Sequence, residues 1–234
     1  MPNAIITGAT QGIGKAIAEK LLSQGFSVAV CARTQSDLDT VQNIWSAQYP
    51  AATILTYKAD LADKEEVRQF AEYAATAFDT IDILVNNAGL FFPGKLMEEP
   101  DGHLETLMKV NLYSAYHLTR SVIDNISKNG KGHIFNICSV ASLKAYPNGG
   151  AYSMTKYALL GFSENLREEL KEEHIRVTAI CPGATFSRSW EGAQIANNRL
   201  MEATDIAEMV WASYILSAQA NVETIVIRPA KGDL

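Results

Sequence analysis

Tyr152 and Lys156 stand four residues apart in the run Tyr152-Ser153-Met154-Thr155-Lys156, a spacing that puts both on one face of a helix. The pair suits carbonyl chemistry. Reducing a carbonyl needs a hydride at carbon and a proton at oxygen. A free tyrosine, with a pKa of ~10, is a poor base near neutrality. A neighbouring ammonium favours the phenolate and lowers that pKa. Alone, this spacing is common on helix surfaces, so its surroundings decide. Ser139 lies 13 residues before Tyr152, directly after the apolar run Ile134–Cys138. Its hydroxyl is expected at the carboxyl end of a central strand, where doubly wound sheets place their ligands. There it could stabilise charge developing on a substrate oxygen. Asn111, within Lys109-Val110-Asn111-Leu112, is a polar residue among apolar neighbours, and a buried amide requires partners.

A second group of residues points to a dinucleotide. Thr7-Gly8-Ala9-Thr10-Gln11-Gly12-Ile13-Gly14 sits between a strand pattern and a helix pattern. Glycines serve there if the turn needs positive φ or a phosphate must approach the backbone. The following helix offers free N–H groups and a positive dipole end to an anion. The spacing is G-x-x-x-G-x-G rather than the general G-x-G-x-x-G. Without a ligand these would simply be turn glycines. The second strand ends Cys31-Ala32-Arg33-Thr34. An acidic residue there would accept hydrogen bonds from the adenosine ribose hydroxyls and repel a 2′-phosphate. Ala32 removes that repulsion, and the Arg33 guanidinium can pair bidentately with phosphate. The expected cofactor is NADP(H); a merely solvent-exposed arginine is the alternative.

These residues need a frame. Short aliphatic runs are predicted as strands at Asn3–Thr7, Ser27–Ala32, Thr53–Lys58, Ile83–Asn86, Gly132–Cys138, Arg176–Cys181 and Thr224–Ile227. Helical patterns lie near Gly12–Gln24, Gln35–Gln48, Lys64–Phe78, Gly102–Lys128, Ala151–Glu173 and Asp205–Ala218. In the third, Val67, Phe70, Ala71, Ala74 and Phe78 form one apolar stripe. Asp63 with Glu66 resembles a capping box at its start. Nearly continuous apolar strands imply a sheet covered on both faces. Alternating β and α elements imply an α/β fold with a doubly wound parallel sheet. No linker, repeat or charge block divides residues 1–234, so one domain is expected. Leu107–Ile126 and Ala151–Leu166 carry more apolar residues than a sheet-facing stripe needs. Either a subunit interface or burial as a central helix would explain them.

Bulk properties narrow the classes. The chain has 234 residues, 47% hydrophobic and 20% charged, with a net charge of −6. That acidity argues against a general nucleic-acid or anionic-membrane binder. Cys31, Cys138 and Cys181, widely spaced and without C-x-x-C, read as buried free thiols of a reducing compartment. No metal site is expected. No signal-peptide pattern precedes the first strand, and no window reaches the ~18 to 20 apolar residues of a membrane span. A cytoplasmic protein is expected.

The motifs together resemble the short-chain dehydrogenase/reductase family over essentially the whole chain, from Thr7 to the last strand. T-G-x-x-x-G-x-G is that family's usual loop. Asn86-Asn87-Ala88-Gly89 matches its N-N-A-G signature, and Asn111, Ser139, Tyr152 and Lys156 match its catalytic tetrad. The resemblance implies a Rossmann-like seven-stranded sheet in the order 3-2-1-4-5-6-7 and a homodimer or homotetramer built on the two long helices. It implies Tyr152 as proton donor or acceptor, with Ser139 orienting the carbonyl or alcohol. Lys156 would lower the tyrosine pKa and hold the nicotinamide ribose, and Asn111 would support a water-mediated relay. Gly8, Thr10, Gln11, Gly12, Ile13 and Gly14 would cradle the cofactor, with Arg33 and Thr34 at its adenosine end. Asp60 and Leu61 would lie near the adenine, although Asp60 could equally cap a helix. Asn87, Ala88 and Gly89 would line the crevice or anchor the sheet. Pro182-Gly183 matches the family's turn near the nicotinamide. Thr185 replaces its usual aliphatic residue, and Ser187 stands where a threonine is common.

A substrate lid is expected at about 184–203, where Phe186, Arg188, Trp190, Asn197, Asn198 and Arg199 could join Phe91, Phe92 and Tyr146 around a pocket. Arg188 or Arg199 could meet an anionic substrate. The R-P-x-x-G-D ending at Arg228-Pro229-Ala230-Lys231-Gly232-Asp233 resembles sepiapterin-reductase-like members. The expected substrate is a small-molecule carbonyl or alcohol. Reduction of 3-oxoacyl thioesters and a non-catalytic NADP(H) sensor are the alternatives.

Overall fold

The strands alternate between two buried faces, and that alternation builds the architecture. The computed structural model describes residues 1–128, 130–187 and 199–232. Strands β1 (Asn3–Thr7), β2 (Ser27–Ala32), β3 (Ile54–Lys58), β4 (Ile83–Asn86), β5 (His133–Ile137), β6 (Arg176–Pro182) and β7 (Thr224–Ile227) form one sheet in the order β3-β2-β1-β4-β5-β6-β7. Every pairing is parallel. The expected fold is therefore the observed one. Ala4 and Ile6 face one side with Val28, Val30, Ile83 and Val85, whereas Ile5 faces the other with Ala29, Cys31 and Leu84. This is the period of two that a sheet covered on both faces requires.

Helices α1 (Gly12–Ser23), α2 (Gln35–Gln48) and α7 (Ala203–Tyr214) cover the first face through Ile17, Leu21, Leu38, Trp45, Ile206 and Val210. Helices α3 (Lys64–Ala77), α5 (Ser114–Val122) and α6 (Gly150–Leu170) cover the second through Val67, Phe70, Leu118, Val122 and Leu170. All three cysteines are buried free thiols, as expected. Among the described residues no helix is long and apolar enough to cross a membrane.

Three local expectations need correction. The pattern Gly102–Lys128 is not one helix: α4 (His103–Met108) passes through a π turn at Lys109–Tyr113 into α5, and a 3₁₀ turn at Ile123–Asn125 ends the segment. Such a widened turn preserves helical backbone angles, so hydrophobic periodicity hardly registers it. The capping box at Asp63 is only half formed. Asp63 accepts from Glu65 N at 2.7 Å and Glu66 N at 3.1 Å. Glu66, however, reaches past it to Asp60 N at 2.6 Å. Helix α7 starts at Ala203, two residues before the expected Asp205, because Glu202 and Asp205 form a capping box, and it ends at Tyr214 rather than Ala218.

At the amino end of β5 and β6, His133 is fully buried and stacks on Phe135 at 3.9 Å. Its Nε2 meets Thr178 Oγ1 at 2.8 Å. The neighbouring Arg176 guanidinium donates to Ser213 O at 3.3 Å and Tyr214 O at 2.9 Å, at the end of α7. Burial, aided by the Arg176 charge, holds the His133 pKa well below its usual 6.5. The folded state thus disfavours the imidazolium relative to the unfolded chain. Stability is full above about pH 6.5 and falls as the pH drops from there toward the depressed folded value, by at most about 1.4 kcal/mol per pH unit. Urea midpoints at pH 7.5 and 5 are expected to show this loss in wild type and a clearly smaller one in His133→Gln. Equal losses in both proteins would assign the acid sensitivity elsewhere.

Candidate active site

The strands' carboxyl ends open onto a cleft of about 670 Å³. Its floor begins at the loop joining β1 to α1. Gly8 and Gly12 take φ of 65° and 54°, in the left-handed region. The first turn of α1 carries no acidic residue, and the Gln11 side chain makes no cap bond to it. The positive end of the helix therefore faces the cleft unopposed by a carboxylate. Gly14 does something else. It does not line the cleft; any Cβ there would collide with Gly8 O and Asn87 Nδ2. The missing side chain lets the loop pack closely against the strand end.

Asn87 ties that loop to β4. Its Nδ2 donates to Thr7 O at 2.9 Å and Gly8 O at 3.0 Å. The N–H groups of Asn87 and Ala88 both donate to Thr7 Oγ1 at 3.0 Å. Beneath them, Asn86 Nδ2 donates to Asn136 Oδ1 at 2.8 Å, and Asn136 Nδ2 to Ser163 Oγ at 2.8 Å, which joins β4 and β5 to α6.

The expected catalytic residues gather at the other end of the cleft. Ser139 follows β5; its N–H donates to Ser142 Oγ at 3.2 Å and its Oγ accepts from Ala141 N at 3.1 Å, a capping box that fixes the hydroxyl. Tyr152 lies in the first turn of α6, with Ser139 near enough for its hydroxyl to lower the phenol's pKa. Lys156 Nζ is one turn on, donating to Ile137 O at 2.9 Å and lying 5.8 Å from the Tyr152 ring centroid. Burial lowers the lysine pKa, with Cys138 and Cys181 acting in the opposite direction. Burial also pushes the Tyr152 phenol up to about 12, while the Ser139 hydroxyl pulls it down. Desolvation thus outweighs the lowering that the Tyr152/Lys156 spacing suggests. The phenol is held in its protonated form at neutral pH.

Asn111 is 1% exposed and does not line the cleft. It occupies the π turn, where its Oδ1 accepts from Leu90 N at 2.7 Å and its Nδ2 donates to Leu90 O and Thr155 Oγ1, both at 3.0 Å. The side chain thereby anchors the segment after β4 to α6.

The remaining expected residues divide clearly. Gly8, Thr10, Gln11, Gly12, Ile13, Arg33, Thr34, Asp60, Leu61, Asn87, Ala88, Gly89, Pro182, Gly183 and Thr185 all line the cleft. Asp60 also closes a local turn by accepting from Ala62 N at 3.0 Å. Phe91 and Tyr146 line it too, and the Phe91 ring meets Tyr152 edge-on at 4.8 Å. Phe92 instead packs on His103, Phe186 is 62% exposed, and Arg199 donates to Gly232 O at 3.4 Å; none of the three is a lining residue. Arg188, Trp190, Asn197 and Asn198 lie outside the described residues. Arg228, of the R-P-x-x-G-D ending, also lines the cleft, and Asp37 and Lys144 line it without having been singled out. Each of these two comes from a different loop or helix, and no local motif marks it.

The sequence profile described as short chain dehydrogenase matches residues 2–196. The chain belongs to the short-chain dehydrogenase family. It is an oxidoreductase of that family. The chain is 31% identical over 238 residues to sepiapterin reductase of Chlorobaculum tepidum, covering 98% of this chain and 97% of the relative. It is 30% identical over 207 residues to an (S)-acetoin-forming diacetyl reductase of Staphylococcus epidermidis, covering 88% and 79%. An alcohol dehydrogenase of the archaeon Thermococcus sibiricus, solved with 5-hydroxy-NADP, superposes with a TM-score of 0.89 at 26% identity, covering 98% of this chain and 97% of that one.

This short-chain dehydrogenase makes an experimental demand of Asn111. Asn111→Ala leaves the part-buried N–H and C=O of Leu90 without their side-chain partner. An unfolding free energy lower by about 1–3 kcal/mol is expected in urea titrations, whatever Asn111 contributes to turnover.

Proposed function

We propose that this chain is an NADP(H)-dependent oxidoreductase that interconverts a carbonyl and a secondary alcohol, with Tyr152 as acid/base. The observation that carries the reading is the convergence on one cleft of the glycine-rich loop, Arg33 and the Ser139–Tyr152–Lys156 group. We read residues 1–234 as one catalytic unit with a lid at about 184–203.

The residues fit the cofactor. The unopposed amino end of α1 suits a pyrophosphate, with Gly8, Thr10, Gln11, Gly12 and Ile13 around it. Arg33, beside the neutral Ala32, suits a 2′-phosphate. When bound, the nicotinamide would supply or take up the hydride. Asn87, Ala88, Gly89, Pro182, Gly183 and Thr185 would line that end. The NADP-type ligand of the archaeal alcohol dehydrogenase supports this choice.

The protein's own residues manage the proton. Ser139 Oγ is fixed to donate toward a substrate oxygen. Tyr152, protonated at neutral pH, gives its proton to the alkoxide as it forms, and Lys156 offsets the resulting phenolate charge. Asn111 holds the cleft wall at Leu90, through which the relay role would be exerted. The hydrophobic side of the pocket, with Phe91 and Tyr146 near Tyr152, suits a small ketone, a dicarbonyl or a carbonyl on a pteridine side chain. The names of the sepiapterin and diacetyl reductases agree with that class. The exposed Tyr113, Tyr116, Met154 and Tyr157 on the α5/α6 side support a homodimer or homotetramer.

NADPH consumption at 340 nm against diketones, pteridines, acyl thioesters and sugars tests the reading. Tight NADPH binding without turnover of any of them would favour a sensor. Tyr152→Phe is expected to lose about 10²–10⁴-fold in kcat while keeping its NADPH affinity; full activity would remove the mechanism. The phenol must be protonated for reduction and deprotonated for oxidation. Reduction should therefore be flat from about pH 6 to 9, with alcohol oxidation rising over the same range. Replacing Ala32-Arg33 by Asp-Ala should shift preference toward NADH, and an unchanged NADPH/NADH ratio would remove the phosphate role of Arg33.

A further inference from the structure

Helix α6 begins without a local cap. Its N-cap, Gly149, makes no side-chain bond to the first turn. A side chain there has no room, since a Cβ would fall 2.7 Å from Ser153 Oγ and 2.9 Å from the Tyr146 ring. The first-turn N–H groups of a helix still need acceptors. One arrives from far along the chain: Glu99 Oε1 accepts from Ala151 N at 2.9 Å, across 52 residues. The carboxylate lies so close to Gly150, whose φ is 40°, that any Cβ there would overlap Glu99 Oε1. A negative group at a helix amino end is also favoured by the dipole.

Glu99 belongs to the segment between β4 and α4, and that segment is tied to α6 at further points. Gly94 N donates to Asn148 O at 3.0 Å, just ahead of α6. Asn111 bonds both Leu90 and Thr155, fixing the segment's start to the second turn. Between these ties, Phe91 packs edge-on against Tyr152. Tyr152 therefore sits in a turn whose preceding N–H is held by Glu99 and whose ring is held by the same segment.

We propose that Glu99 is a positioning residue for Tyr152: its carboxylate fixes the first turn of α6 and so holds the phenol against Ser139. The proposal rests on Tyr152 being the acid/base. A glutamine keeps an acceptor oxygen at the same reach, whereas alanine keeps none, so the two variants separate the bond from the bulk of the residue.

The experiment compares wild type, Glu99→Ala, Glu99→Gln and Tyr152→Phe as full chains. Amide hydrogen exchange of the peptide spanning residues 150–155 needs no turnover. Glu99→Ala should speed it about tenfold or more, and Glu99→Gln should stay within about twofold of wild type. With NADPH and the best carbonyl of the panel, Glu99→Ala should lose about ten- to a hundredfold in kcat, with KM and NADPH affinity little changed. Its alkaline oxidation limb should move to higher pH, because the Ser139 contact that lowers the tyrosine pKa is weakened. Glu99→Gln should restore kcat and pH profile together. Wild-type exchange and kcat in Glu99→Ala would overturn the proposal, as would a Glu99→Gln variant as impaired as alanine. Full activity of Tyr152→Phe would instead remove the acid/base reading, leaving the exchange data to judge the helix cap alone.

Discussion

The bonds between Thr7 and Asn87 are the joint on which the cleft depends. In the order β3-β2-β1-β4-β5-β6-β7, β1 and β4 are neighbours whose connections leave toward opposite sides of the sheet. That reversal opens a crevice at their carboxyl ends. A crevice is also a place where the sheet's own hydrogen bonds stop, so its rims need another means of staying in register. One threonine hydroxyl accepting two N–H groups, and one amide donating to two carbonyls, supply it. Gly14 lets the first helix approach close enough for this joint to close.

A second consequence is electrostatic. Lys156 is placed where desolvation works against its charge, yet Ile137 O accepts from it and the Cys138 and Cys181 side chains favour the ammonium. The Asn86–Asn136–Ser163 ladder below it links the side chains of β4, β5 and α6 through two hydrogen bonds in a dry interior. Polar groups satisfied in this way are rigid, and rigidity is what proton transfer between fixed atoms requires.

The sequence carries much of this, and the part it does not carry has a physical cause. Strand identity was legible because each buried strand is a short run of aliphatic residues, strand order through the family resemblance, and the loop because three glycines crowd between a strand pattern and a helix pattern. Arg33, Ser139 and Tyr152 were legible because each stands near a recognisable element end, and Lys156 because it lies four residues from Tyr152. Asn111 was found as a residue but not as an anchor, because a π turn leaves hydrophobic periodicity almost untouched. Gly14 shares the loop motif with the lining glycines, and only the position of Asn87 shows how closely it packs. Glu66 skips its own N-cap for Asp60, a choice between two nearby donors that spacing cannot decide. Asp37, Lys144 and Glu99 come to the site by tertiary folding alone. Phe186 shows the converse, an aromatic in a promising stretch that points to solvent.

The balance at Tyr152 also gives the site a direction. Burial and the Ser139 hydroxyl oppose each other, and burial wins, leaving the phenol near 12. A group so poised is a ready proton donor and a reluctant base. Lys156 does not reverse this from 5.8 Å off the ring centroid, because its ammonium is itself held by Ile137 O and weakened by burial. Donation to an alkoxide needs no prior ionisation, since the alkoxide formed by hydride addition is far more basic than a phenolate. Abstraction from an alcohol does need it, and becomes practical only when further positive charge enters beside the phenol or when the pH rises. On the proposed mechanism, the chain's own residues would make Tyr152 a readier proton donor than base.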